Sequence, residues 1–254
     1  MNWLNKFLIV LVRPCFSKNV GSIARAMSNF GFSNLRIVAG DNLNIKEACV
    51  TACHGSFILD NIECYSSLDD AIADVELVIG FSARVGRQRM QPVELKKWSK
   101  NFWSQYYSSF PTTALVFGPE DNGLSWKDTT YCSQLVNIET PGPNRSLNLA
   151  QAVLLVLYEL SSNRQKDEQY DSLKTRYATQ QSFSQLDLLV EQVLTLSRFY
   201  GKGTPRQIPG IVRNLFRRIR PTAREMQILL GIFSRIEKQL KFNDCRHFRQ
   251  TADK

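Results

Sequence analysis

The chain has 254 residues, enough to bury a sizeable core as one large domain, or as a large domain with a smaller companion. Hydrophobic residues make up 43% and charged residues 22%, which excludes a disordered chain, and no apolar run approaches the length of a membrane span. The formal net charge is +9, with 14 basic and 14 acidic side chains in residues 1–160 against 18 and 9 in residues 161–254. That asymmetry points to a polyanion partner for the C-terminal part, set against the plainer reading of a solvated basic surface.

Phe7 to Val12 is an unbroken apolar run and predicts a buried strand of the parallel type. It is too short for a signal core and stops at Arg13-Pro14, so no targeting segment is expected and the protein is expected in the cytoplasm. Residues 13–18 read as a connecting loop and Asn19 as the cap of a helix that runs to Phe30 and ends at Gly31. Residues 35–38 form the next strand, 45–53 a helix, 68–73 the start of a short helix and 76–80 a strand. The loop after that strand carries Ser82, Ala83 and Arg84, with Arg87 and Arg89 close behind. Residues 93–107 read as a helix rich in Lys and aromatics.

Residues 114–117 are a further buried strand that breaks at Gly118-Pro119 into a loop holding Glu120, Asp121 and Gly123. Residues 135–138 are a last short strand, followed by a Pro-Gly-Pro turn. A helix from about Ser146 then places Leu149, Val153, Val156, Leu157 and Leu160 on one face. Strands alternating with helices define an α/β class with a mainly parallel sheet, whose ligands bind outside the carboxyl ends of the strands. Gly118 and Gly123 permit positive φ and close approach of a ligand. Their spacing superficially matches a P-loop, but Leu124-Ser125 follow where Lys-Ser/Thr is required, so nucleotide hydrolysis is excluded.

Residues 161–182 are polar and read as a linker. Residues 183–254 follow as a small basic helical domain with three amphipathic patterns, the last opened by a capping box of Thr222 and Glu225. Six cysteines without a Cys-x-x-Cys pair fit free thiols in a reducing compartment. Cys49, Cys53 and His54 lack a second half for a metal site and read instead as small buried residues of a helix, so no metal is expected.

Three stretches share a resemblance: Asn19-Val20-Gly21-Ser22-Ile23-Ala24-Arg25-Ala26-Met27, then VFGPEDNGLS from Val116, then SLNLAQAVLLVLYEL from Ser146. In order and spacing they resemble the motifs of the SPOUT-class (SpoU-like) RNA ribose 2'-O-methyltransferases. Gly80-Phe81-Ser82-Ala83-Arg84 and the C-terminal LFRRIRPTAREMQILLGIFSRIEKQ are similar to its TrmJ branch, which modifies tRNA. Arg145 departs from that branch, which usually has a small hydroxyl residue before Ser146.

The resemblance implies a deep trefoil knot after residue 113, a rare exception to unknotted topology. It implies S-adenosylmethionine as methyl donor, held by Ser82, Ala83, Leu115, Phe117, Gly118, Gly123, Ile138, Ser146 and Leu147. It implies a homodimer in which each site is finished by the partner subunit, acting on nucleotide 32 of the tRNA anticodon loop. Arg25 would face the ribose hydroxyl, with Asn19, Glu120, Ser146 and Asn148 orienting groups around it. Arg84, Arg213, Arg217, Arg218 and Arg220 would contact RNA phosphate. The plainer alternatives are a surface ion pair of Arg25 with Glu120 and solvated charges elsewhere. Two rival functions stand beside this one, a ribosomal RNA methyltransferase and a non-catalytic RNA-binding protein on the same fold.

Overall fold

The computed structural model describes residues 3–40, 43–84, 90–106, 110–143, 146–164, 176–199 and 208–252, with side chains to residue 242. A 3-10 turn, Trp3–Lys6, leads into β1 (Phe7–Val12), α1 (Ser17–Phe30), β2 (Leu35–Val38), α2 (Ile45–Ala52) and α3 (Ser56–Leu59). Next come β3 (Glu63–Tyr65), α4 (Leu68–Ala71), β4 (Leu77–Phe81), β5 (Val93–Glu94) and α5 (Leu95–Gln105). The body closes with β6 (Thr113–Phe117), α6 (Trp126–Thr129), β7 (Gln134–Asn137) and α7 (Leu149–Ser162). Three further helices follow, α8 (Gln180–Leu196), α9 (Ile208–Ile219) and α10 (Ala223–Ala252).

The strands form one seven-stranded sheet in the order β3-β2-β1-β6-β4-β7-β5, and every pairing is parallel. All six residues of β1 are buried, as a central strand covered on both faces requires. Its residues alternate between two cores. Phe7, Ile9 and Leu11 pack with Ile23, Met27, Val153 and Leu157, whereas Leu8, Val10 and Val12 pack with Ile72, Val75 and Leu124. The strand order, with β6 central and β7 set outside β4, is consistent with the path that the resemblance assigns to the knot.

Gly31 ends α1 at φ 77°, its amide returning to Ser28 while that of Phe32 returns to Met27, the left-handed close expected of a C-terminal glycine. Two short strands, β3 and β5, are additions to the expected elements, and residues 93–94, expected as helix, belong to β5. Cys49 is only half-buried and Cys53 and His54 are exposed where α2 ends, which corrects their reading as buried helix residues.

The expected linker 161–182 is bounded by structure at both ends, with residues 165–175 outside the described residues. α7 continues to Ser162, and the chain is already engaged at Tyr177, whose amide donates to Glu76 Oε1 at 3.0 Å. The amides of Gln180 and Gln181 donate to the carbonyls of Val75 and Ala73, both at 2.9 Å, and Ser184 Oγ donates to Asp69 Oδ1 at 2.7 Å. The C-terminal helices are therefore seated on the α/β body. The Thr222–Glu225 capping box forms as expected, with Thr222 N donating to Glu225 Oε2 at 2.7 Å and Glu225 N to Thr222 Oγ1 at 3.3 Å.

The seating uses arginines that were expected to face RNA. Arg217 is 0% exposed, a correction to its reading as a phosphate contact. Its guanidinium pairs with Asp187 at 2.9 Å, donates to Gln180 Oε1 at 3.3 Å and lies over the rings of Phe183 and Tyr131. Arg213 is turned inward as well, pairing with Asp187 at 3.0 Å and lying over Tyr131. Arg220 lies over Tyr106 with no carboxylate partner among the described residues, and burial pushes its pKa down to about 10. Arg218 and Arg224 remain exposed. A pair of arginines on one half-buried carboxylate is a structural bracket, because a guanidinium as deep as that of Arg217 must be matched. Arg217→Ala is therefore expected to lower the unfolding free energy by about 3 kcal/mol, measured by urea denaturation. A stability within experimental error of wild type would show that the bracket carries nothing.

Candidate active site

The carboxyl ends of β4, β6 and β7 open onto one cleft of about 350 Å³. Its apolar lining includes Phe81 and Phe117, whose rings stack at 4.6 Å and 7°. Ser82, Ala83 and Arg84 line one side, the loop 118–123 another, and Ile138, Ser146, Leu147 and Leu149 the third. Ser82 N donates to Val136 O at 3.0 Å, which ties the end of β4 to β7, and Ser82 Oγ accepts from Arg84 N at 3.2 Å.

The loop 118–123 holds its shape by folding on itself. Gly123 N donates to Pro119 O at 2.8 Å, and Gly123 takes φ 59°. A Cβ on Gly118 would lie 2.2 Å from Leu124 N and 2.3 Å from Gly123 C, so this glycine serves the loop's own closure rather than the approach of a ligand. Gly123 faces open space.

A polar chain then joins this loop to two helix starts. No side chain of α1 caps it: the N-cap position is Phe16, and Asn19 sits in the first turn, which corrects its reading as the cap. The work is done from β6. The Glu120 carboxylate accepts from Cys15 N at 2.8 Å, Phe16 N at 3.4 Å and Asn19 Nδ2 at 2.8 Å. A negative charge at a helix N-terminus is favoured by the unpaired amides and by the helix dipole. Asn148 Nδ2 donates to Asn19 Oδ1 at 3.1 Å, while Asn148 Oδ1 caps α7 by accepting from Ala150 N and Gln151 N. α7 thus starts at Leu149 rather than at Ser146, which stays in the cleft wall with Leu147.

The structure gathers most of the expected site residues and separates others. Ser82, Ala83, Arg84, Phe117, Gly118, Glu120, Gly123, Ile138, Ser146 and Leu147 line the cleft. Leu115 does not: it lies in mid-β6 and is fully buried in the apolar core. Asn19 and Asn148 bound the polar chain behind the cleft. Arg25 is exposed on α1, does not line the cleft of its own chain, and makes no ion pair with Glu120 among the described residues. Arg87, Arg89 and Arg145 lie outside the described residues. Sequence reasoning passed over Arg13 and Asp128, which meet at 2.5 Å behind the loop. The Ser125-x-x-Asp128 capping box was the available signal for the second of them.

An all-parallel sheet whose strand-end loops enclose an amphiphilic cleft is the arrangement in which α/β proteins place a ligand site. The chain belongs to the SpoU methylase family, whose model, described as the SpoU rRNA Methylase family, matches residues 6–158. It is 32% identical to a tRNA (cytidine/uridine-2'-O-)-methyltransferase TrmJ of Citrobacter koseri, over 94% of this chain and 99% of that one. It is 37% identical to a tRNA (cytidine-2'-O-)-methyltransferase TrmJ of Methanocaldococcus jannaschii, over 64% of this chain and 70% of that one. Among solved structures it is similar to the crystal structure of TrmJ from Z. mobilis, with a TM-score of 0.77 and 27% identity over 91% of this chain and 98% of that one.

Closure of the loop 118–123 has a direct test. Gly118→Ala is expected to lower the unfolding free energy by about 2 kcal/mol, and to speed hydrogen exchange at the Gly123 amide as its bond to Pro119 is lost. Unchanged stability with unchanged exchange would contradict the tight closure.

Proposed function

We propose that the protein is an S-adenosylmethionine-dependent tRNA ribose 2'-O-methyltransferase. It acts on nucleotide 32 of the anticodon loop, as a homodimer in the cytoplasm. The observation that carries this reading is the cleft, in which the loops of β4, β6 and β7 meet beside the Glu120/Asn19/Asn148 chain. Relatives named as tRNA methyltransferases match the C-terminal helices as well as the body, which favours tRNA over ribosomal RNA.

The lining fits the donor. The stacked Phe81 and Phe117, with Ile138 and Leu149, offer apolar walls to a flat base, and Ser82, Ser146 and Glu120 offer polar groups at the rim. When bound there, S-adenosylmethionine supplies an electrophilic methyl carbon. The protein's task is to hold the ribose hydroxyl in line and to stabilise charge on its oxygen, because positioning supplies most of the rate. Arg25 takes that role. A guanidinium stays protonated, so it serves as a hydrogen-bond donor to the hydroxyl and the neighbouring phosphate rather than as a free base. Since Arg25 is exposed and lies outside its own chain's cleft, it serves the cleft of a second copy. The exposed Leu154, Leu155 and Tyr158 of α7, which packs beside α1, offer an apolar surface for that contact.

With Arg213, Arg217 and Arg220 turned inward, phosphate contacts fall to Arg84 at the cleft rim and to Arg218 and Arg224 at the α9–α10 corner. Arg25→Ala is expected to abolish methyl transfer to tRNA while S-adenosylmethionine affinity by calorimetry stays within a few-fold of wild type. Near-normal turnover in that variant would remove Arg25 from the site. Arg218→Ala with Arg224→Ala should weaken all tRNAs about equally and flatten the log–log salt slope by about one unit per arginine, measured by filter binding. An unchanged slope would mean that the corner is only a solvated surface.

A further inference from the structure

Arg13 is the first residue after β1, and it is built unusually. It adopts φ 50°, a left-handed conformation that residues with a Cβ rarely take. Three restraints hold it there. Its amide donates to Val38 O at 2.8 Å, its guanidinium bonds the Asp128 carboxylate, and two residues on, the amide of Cys15 donates to Glu120. Strain at a non-glycine residue persists only when the surroundings over-determine it, and it collects at functional sites.

What the guanidinium holds explains why the strain is kept. Asp128 is nearly buried, and its Oδ2 also accepts from Ser125 N at 2.8 Å, while Asp128 N donates to Ser125 Oγ at 3.1 Å. This capping box opens α6 directly after Gly123 and Leu124, so it is the far anchor of the loop 118–123. The near end of that loop is gripped through Glu120 by the amides of Cys15 and Phe16. One short segment, residues 13–16, therefore holds both ends of the loop that walls the cleft, and the left-handed turn at Arg13 aims side chain and following amides at their two targets.

We propose that Arg13 is a positioning residue for the donor cleft: through Asp128 its guanidinium fixes the far end of the loop 118–123 in the shape that receives the methyl donor. The inference rests on the donor reading given above. It goes beyond that reading in giving a role to a residue that lines no part of the cleft.

The test compares Arg13→Gly, Arg13→Ala, Arg13→Lys and Asp128→Asn in the full chain. Glycine accepts the left-handed backbone and removes only the side chain, so it separates the clamp from the turn. Two readouts are used: S-adenosylmethionine affinity by calorimetry, and hydrogen exchange at the Gly123 and Ser125 amides without donor. Loss of one charge-assisted bond corresponds to about tenfold in affinity. Arg13→Gly and Arg13→Ala should weaken donor binding by about that factor with the KM for tRNA unchanged, and exchange at both amides should rise. Arg13→Lys should fall between them and wild type, since it restores the charge without the planar fork. Asp128→Asn added to Arg13→Ala should cost less than it does alone, as two ends of one interaction do. Wild-type donor affinity and wild-type exchange in Arg13→Gly would overturn the proposal. Failure of the wild-type protein to bind S-adenosylmethionine would overturn the functional reading instead, and the exchange result would still decide whether Arg13 holds the loop.

Discussion

The Glu120 carboxylate is the constraint on which the cleft depends. It stands on a loop that β6 delivers to the centre of the sheet, and it accepts hydrogen bonds from the two amides before α1 and from Asn19 within it. α1 therefore begins where β6 ends. Asn19 passes the restraint to Asn148, so α7 begins there too. Three chain segments far apart in sequence are brought to one edge by a single acceptor and two side-chain amides. These bonds gather at the start of α1 and pass from there to the cap of α7.

That arrangement works only because the loop carrying Glu120 is itself rigid. Its two glycines have different duties. Gly118 is where the loop's own backbone packs against itself, and Gly123 supplies the positive φ that closes the turn. Behind the loop, α6 is short and is held from two sides. Asp128 faces Arg13, while Trp126 packs close to Gly210 of α9, and Thr130 just past α6 accepts from Arg213. The C-terminal helices are thus fastened to the element that follows the cleft loop, through a buried bracket in which Arg213 and Arg217 share Asp187. Burial raises the pKa of the Asp187 carboxyl, and the two guanidiniums oppose that shift.

Much of this was legible in the sequence, for reasons that differ by element. β1 and β6 were legible because an unbroken apolar run of six or of four residues between turns is too short for a buried helix and suits a buried strand. The Gly31 stop and the Thr222–Glu225 box were legible because caps use local chemistry. The cleft lining was largely legible from motif resemblance, since Ser82, Gly118, Ile138 and Ser146 all reach it. What failed was non-local. Asn19 was expected to cap α1, but the acceptor is Glu120, 101 residues away. Arg217 was counted with the surface charge, because an amphipathic pattern assigns Arg to solvent and cannot show an Asp187 waiting 30 residues earlier. β3 and β5 are three and two residues long, too short for periodicity to register. Arg25 is the opposite case: it was expected at the site, yet it lies exposed on α1 outside the cleft of its own chain, which local spacing could not show.

The identity of the reaction product is the most direct test of the central claim. Purified protein would be incubated with unmodified tRNA transcripts and isotope-labelled S-adenosylmethionine, and nuclease fragments would be sequenced by mass spectrometry. The expected result is one labelled methyl per tRNA, on the ribose 2'-oxygen of nucleotide 32, and none when S-adenosylmethionine is omitted. Label on a base, label outside the anticodon loop, or no transfer to tRNA alongside transfer to ribosomal RNA fragments would contradict it.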